Sequence, residues 1–279
     1  MTPIQEKTIF DKATECVQKI KSIFNENIDF AVVLGSGLSN FEREIEILHS
    51  IDYSELPYFP LSTVLGHKGK LIIGKVKGKT VICQSGRFHY YEGYSIEQVT
   101  FPIRVFKLLG IDKLIVTNAA GGLNPNQEVG DIVIIQDHIN FQPEHPLRGK
   151  NDERFGPRFP DMMHAYSPEM YQSALTYGKS KSYRCELGVY VGVQGPTFET
   201  PAEYQMYHRV GGDAVGMSTV PEVIVANHMS MKVFGVSIIA DCGYPLDKLK
   251  IISHQEVLEK SAEAEPKVTD IVTHIIHSF

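Results

Sequence analysis

The chain has 279 residues, 43% of them hydrophobic and 22% charged, which is the composition of a globular protein with apolar material for one large core or two small ones. A net charge of −6 with dispersed lysines and arginines excludes a basic nucleic-acid-binding surface. No apolar run approaches the ~18 residues that cross a bilayer, and the opening MTPIQEKTIFDKATECV lacks a basic head followed by an apolar stretch, so a cytoplasmic protein without membrane attachment is expected.

Ile9, Phe10, Ala13, Val17, Ile20 and Phe24 recur mostly three or four apart, which predicts an amphipathic helix over 5–25. FAVVL then reads as a buried strand. KLIIGKV and KTVICQS flank Lys77-Gly78, a turn signal for an antiparallel pair joined by a short hairpin. SIEQVTFPIRVFKLLG has helical periodicity and stops at Gly110, after which DKLIVTNAAGG and GDIVIIQDHINF supply two β-rich runs. The stretch over about 140–165 is irregular and dense in Pro, Arg, Asp and Glu, and loops of that length are usually functional or interfacial. GVYVGVQG, DAVGMST and KVFGVSIIAD are predicted strands, separated by helical PAEYQMYHRV and VPEVIVANHMS. The segment from His254 is helical, with Pro266 expected to break or kink it. The alternation predicts an α/β fold with a largely buried mixed sheet and helices on both faces. No repeat, low-complexity tract or flexible linker divides 1–279, so a single domain is expected. Cys16, Cys83, Cys185 and Cys242 form no CxxC pair, and are expected as reduced core thiols rather than disulfides or a zinc site.

In such folds chemistry gathers where strands end, and four strand-terminal clusters stand out. Gly35-Ser36-Gly37-Leu38 follows FAVVL; its glycines would admit an anion to backbone N–H groups, and it reads equally as a tight turn. Arg87, His89 and Tyr91 share one face if the strand ending in KTVICQS stays extended. Arginine offers a bidentate fork to phosphate or carboxylate, and His and Tyr add donors, so the trio suggests an oxyanion pocket; the alternative is a strand leaving the core with its polar groups in solvent. VTNAAGG is a small-residue turn that would expose backbone amides or merely pack tightly. In GPTFETP, followed by VGMST, an aromatic beside a carboxylate would stack on a flat heterocycle and accept from its ring N–H, while Thr200-Pro201 with Glu203 also spells a helix cap. His67, His89 and His138 make no HxH or HExxH pairing, so no metal site is expected.

Together these clusters resemble the trimeric purine nucleoside phosphorylases that act on inosine and guanosine. VLGSGL, Gly66-His67, GRFHYYEGY, VTNAAGGLNP, GDIVIIQDHIN, NDERFGPRFP, GPTFETPAE and GMSTVPEV occur in that family's order and spacing. The resemblance implies a single-domain nucleoside phosphorylase fold, a mixed β-sheet forming a distorted barrel surrounded by helices, and a homotrimer with active sites at subunit boundaries. It implies purine nucleoside and phosphate as substrates, with no metal or organic cofactor. It places Ser36, Arg87, His89, the Ala119 N–H and Ser218 on phosphate, with His67 close by. Tyr91 and Met217 would hold the ribose, His254 would reach the 5′-hydroxyl, and Phe155 would come from the neighbouring subunit. Phe198 and Val215 would sandwich the purine beside Tyr190, with Glu199 accepting from the base.

One position departs from the family pattern: Ala240-Asp241 stands where inosine- and guanosine-cleaving members have Thr-Asn. An asparagine amide donates and accepts. An ionised Asp241 only accepts, which favours a 6-amino group; a protonated Asp241 would donate to N7 and activate the leaving base. Glu199 instead matches the N1–H of 6-oxopurines. The expectation is therefore phosphorolysis of inosine and guanosine, with His89, Glu199 and Asp241 as catalytic residues, and adenosine as the broadened alternative. A nucleosidase would leave the anion donors without a task, and a non-catalytic nucleoside binder would not need them.

Overall fold

The computed structural model describes residues 7–36, 38–61 and 68–279. In chain order the elements are α1 (Ile9–Lys21), β1 (Phe30–Val33), β2 (Glu46–Asp52), β3 (Lys70–Val76), β4 (Lys79–Ser85), α2 (Ile96–Val99), α3 (Phe101–Leu108), β5 (Lys113–Gly122) and β6 (Ile132–Asn140). There follow α4 (Pro168–Ser180), β7 (Cys185–Gly192), α5 (Pro201–Arg209), β8 (Ala214–Gly216), α6 (Val220–His228), β9 (Lys232–Cys242) and α7 (His254–Ser278).

Local chemistry explains most of these boundaries. At the start of α1 the Asp11 amide donates to Thr8 Oγ1 (3.2 Å) and the Thr8 amide to Asp11 Oδ2 (3.1 Å), a reciprocal cap. Lys77 and Gly78 both have positive φ (49° and 83°), the geometry a two-residue hairpin needs between β3 and β4. The helix expected over SIEQVTFPIRVFKLLG is two helices, divided at Thr100, because Pro102 has no N–H to continue the ladder. The reverse holds at Pro266. Instead of breaking, α7 runs through it, because Ala264, Val268, Ile271 and Val272 on either side are buried in the core and offset the lost bond.

The nine strands among the described residues form one mixed sheet in the order β2-β3-β4-β1-β5-β8-β7-β6-β9. A further parallel pairing of β5 with β9 closes β5, β8, β7, β6 and β9 into a barrel, from which β1, β4, β3 and β2 extend. The central strands are buried on both faces, as the unbroken apolar runs require. Ala31 and Val33 of β1 face a core shared with α1, α3 and α6, while Phe30 and Val32 face one shared with α4 and α7. β4, β1, β5 and β9 are mutually parallel, so their carboxyl ends open at the same edge.

Candidate active site

At that edge lies a cleft of about 680 Å³, open mouth included. β1 delivers Ser36 to it through a turn that only glycine allows: a Cβ on Gly35 would sit 2.5 Å from the Thr117 carbonyl oxygen and 2.7 Å from Asn118 Cα. Beyond the turn the chain is pinned to α7, where buried Glu265 accepts from the Asn40 amide and from Asn40 Nδ2, both at 2.5 Å.

β4 ends at Ser85, and Gly86 (φ 115°) redirects the backbone before Arg87. Arg87 and His89 do not turn to solvent; they are 1% and 6% exposed. The Arg87 guanidinium is gripped on two sides: Nε and Nη2 donate to Glu222 Oε1 and Oε2 (3.0 and 2.9 Å), and Nη1 donates to the Thr117 carbonyl (2.7 Å). His89 Nδ1 lies 3.0 Å from Glu92 Oε1, which also accepts from the His89 amide at 2.8 Å. Burial lowers the His89 imidazole below its ordinary pKa, helped by the Arg87 charge and opposed by Glu92. Its ring stacks on Tyr91 at 4.7 Å, and burial pushes the Tyr91 phenol up to about 12.

β8 contributes Val215, Gly216 and then Met217 and Ser218 to the cleft wall. Thr219, which follows, holds φ 70° and ψ −57°, an outlier for a β-branched residue. Asn118 Nδ2 donates to its hydroxyl (2.9 Å), and the Ser218 hydroxyl lies 3.0 Å away, so β5 and the start of α6 together fix Ser218. The opposite wall is formed by Phe198 and Glu199 before α5, and by Ala240 and Asp241 at the end of β9. Burial raises the Glu199 carboxyl to about 6, with the Asp241 and Glu203 charges adding and the Tyr204 hydroxyl opposing. Burial likewise raises Asp241, against the Tyr204 hydroxyl, which donates to Oδ2 at 3.3 Å. His254 and Val257, at the start of α7, complete the mouth.

The cleft thus gathers Ser36, Arg87, His89, Tyr91, Ala119, Phe198, Glu199, Val215, Met217, Ser218, Asp241 and His254. Two of the expected residues are elsewhere, and a third is not described. His67 lies outside the described residues. Tyr190 is fully buried beneath the wall rather than beside the cavity, its hydroxyl accepting from the Ser218 amide at 3.4 Å. Phe155 is 7% exposed, packed on Phe10 with ring centres 5.2 Å apart and under the Arg104 guanidinium, so it lies in the core of its own chain and not in the cleft.

A family model described as the phosphorylase superfamily matches residues 29–277. The chain is 50% identical over 255 residues to a purine nucleoside phosphorylase of Rattus norvegicus, covering 89% of this chain and 88% of the relative. It is 47% identical over 266 residues to purine nucleoside phosphorylase 1 of Geobacillus stearothermophilus, covering 95% and 96%. The chain belongs to the purine nucleoside phosphorylase family. Solved structures of Schistosoma mansoni purine nucleoside phosphorylase superpose with a TM-score of 0.90, covering 96% of both chains: isoform 2 with cytosine and ribose-1-phosphate, at 40% identity, and a complex with adenosine, at 36%. As a member of the purine nucleoside phosphorylase family, the chain has one feature its motifs do not advertise. Glu222 is the lone carboxylate in the apolar helix start VPEVIVA, and that oddity is the signal that could have marked it as the partner of Arg87.

Proposed function

We propose that this chain cleaves purine nucleosides and 2′-deoxynucleosides with orthophosphate, giving the free base and (deoxy)ribose 1-phosphate, as a purine-salvage enzyme of the cytoplasm folded as one domain. The observation that carries the reading is the division of a single cleft. Anion donors from β1 and β4 stand on one side of β5, and the carboxylates Glu199 and Asp241 stand on the other.

In the reaction, a phosphate oxygen forms a bond to C1′ as the C1′–N9 bond breaks and its electron pair passes into the purine. Ser36, Arg87, His89, the Ala119 N–H and Ser218 hold the phosphate, whose negative charge stabilises the cationic sugar. Such alignment is worth up to ~7–11 kcal/mol. Glu222 keeps the Arg87 fork in one orientation. Tyr91 and the Met217 backbone hold the ribose, and His254 reaches the 5′-hydroxyl. Phe198 and Val215 enclose the purine. Ionised Glu199 accepts from N1–H of a 6-oxopurine while protonated Asp241 donates to the departing base, stabilising it electrostatically. The phosphate itself supplies the charge that the sugar cation needs, so orthophosphate is a co-substrate and no metal or organic cofactor takes part.

The active unit is a homotrimer, and the residue each subunit lends to its neighbour's site is Phe159. It shares the NDERFGPRFP motif with Phe155 but is 89% exposed, which for a phenylalanine marks a surface meant to be covered. Light scattering on the purified protein tests the trimer. The reaction is tested with inosine and guanosine, each with and without orthophosphate. Base release that requires phosphate supports the reading, and release at the same rate without it refutes it.

A further inference from the structure

The base end of the cleft contains a third group beside both carboxylates. Tyr204, in the first turns of α5, is 2% exposed, and its hydroxyl donates to Asp241 Oδ2 at 3.3 Å. The Glu199 carboxylate is close enough for its charge to act on the same phenol, but the hydrogen bond formed is the one to Asp241. The ring is tightly seated: a Cβ on Gly243, just past β9, would fall 2.1 Å from it, so the chain leaving β9 can pass over Tyr204 only as glycine. Burial and the two carboxylate charges raise the phenol far above its ordinary pKa, so Tyr204 remains a donor throughout the physiological range. One hydroxyl proton can bond only one carboxylate at a time, and here it bonds Asp241.

We propose that Tyr204 is a specificity-determining positioning residue: its hydroxyl supports Asp241 in the ionised form, so that the one proton shared with Glu199 can rest on either carboxyl and the site accepts 6-oxopurine and 6-aminopurine nucleosides alike. The inference rests on the reading of the cleft as a purine nucleoside phosphorylase site. With the proton on Asp241, ionised Glu199 accepts from N1–H and Asp241 donates towards O6 or N7, which is the complement of hypoxanthine and guanine. With the proton on Glu199, ionised Asp241 accepts from a 6-amino group and Glu199 donates to N1, which is the complement of adenine. The two arrangements contain the same number of protons and differ only in which carboxyl holds one. Other titratable neighbours are Glu203 and Tyr207, on the same helix as Tyr204, and Cys242, which follows Asp241 on β9. Glu203 is occupied at the helix start, accepting from Thr200.

The test measures kcat/KM for inosine and adenosine at saturating orthophosphate in the wild type, Tyr204→Phe, Asp241→Asn and the double variant. Phe keeps the ring against Gly243, and a melting curve of each variant confirms folding. The wild type is expected to cleave both nucleosides, with pH profiles that run parallel because both substrates need the singly protonated pair. Tyr204→Phe removes support chiefly from ionised Asp241, and is expected to lower the adenosine-to-inosine ratio about tenfold, the scale of a hydrogen bond to a charged group. In the Asp241→Asn background the same change should leave the ratio within about twofold. Equal losses on both substrates in Tyr204→Phe would make Tyr204 merely structural and overturn the inference. So would a wild type that cleaves inosine alone, or a ratio that climbs steadily on acidification, since the carboxyls would then titrate independently. Those outcomes leave the phosphorylase reading intact, whereas base release that ignores phosphate in the wild type would remove it.

Discussion

Glu222→Ala is the sharpest perturbation of the anion end. Arg87 and Glu222 side chains are 1% and 3% exposed, and two of the three guanidinium bonds described above end on that carboxylate. Truncation leaves Nε and Nη2 facing a cavity and a buried cation without its counter-charge, a change that costs about 3–5 kcal/mol. For a chain of this size that lowers the melting temperature on the order of 10 °C. The two bonds to Glu222 are lost while the bond to the Thr117 carbonyl is retained, so the fork is less firmly oriented, and a misplacement of about 1 Å costs about a hundredfold in rate. Glu222→Gln retains one acceptor and turns an NH₂ towards the guanidinium, so an intermediate loss is expected. Replacing both residues by methionine should recover most of the stability but none of the activity, because an apolar pair of similar volume removes the uncompensated charge. Differential scanning calorimetry and the phosphate dependence of inosine cleavage read both effects. A Glu222→Ala protein that melts within about 2 °C of wild type and keeps its KM for phosphate would refute the reasoning.

Four further outcomes follow from the same packing. Phe159→Ala removes no packing from the core of its own subunit and should shift stability less than Phe155→Ala, yet raise the nucleoside KM by about tenfold. Phe155→Ala should do the opposite, costing about 3–5 kcal/mol of stability, and equal kinetic effects from the two would contradict the assignment. Glu265→Ala strips the Asn40 amide and Nδ2 of their acceptor and should destabilise by about 2–4 kcal/mol, with the KM for phosphate rising more than that for nucleoside because the Ser36 turn loosens; equal rises would argue against this. Tyr190→Phe removes the acceptor of the Ser218 amide and should raise the phosphate KM a few-fold at unchanged nucleoside KM, as measured by steady-state kinetics.

Much of the fold is written locally. The Lys77-Gly78 hairpin and the uninterrupted apolar strands β1, β5 and β9 follow from turn chemistry and two-sided burial. β2 and α4 do not announce themselves: β2 is an edge strand with only Ile51 buried, and α4 turns just Met170, Ala174 and Gly178 inward, a stripe too narrow to read as periodicity. Pro266 shows tertiary packing overriding a local breaker. The closure of β5 onto β9 is a long-range pairing without a local signature.

The site is legible to a similar depth. Strand ends point to Arg87, His89 and Glu199, and Asp241 stands out only against the family pattern, but period-two spacing alone leaves Arg87 as open to solvent as to a pocket. What decides between them is Glu222, distant in sequence, and no spacing rule links the two. Burial separates Phe155 from Phe159, which look interchangeable in one motif. Tyr204 reads as an ordinary helix residue until the chain leaving β9 passes over it.

The central claim is that phosphate, not water, takes the sugar. Inosine incubated with labelled orthophosphate and the purified protein should yield labelled ribose 1-phosphate in equal molar amount to hypoxanthine. Hypoxanthine accompanied by free ribose, with the label left in orthophosphate, would contradict the account.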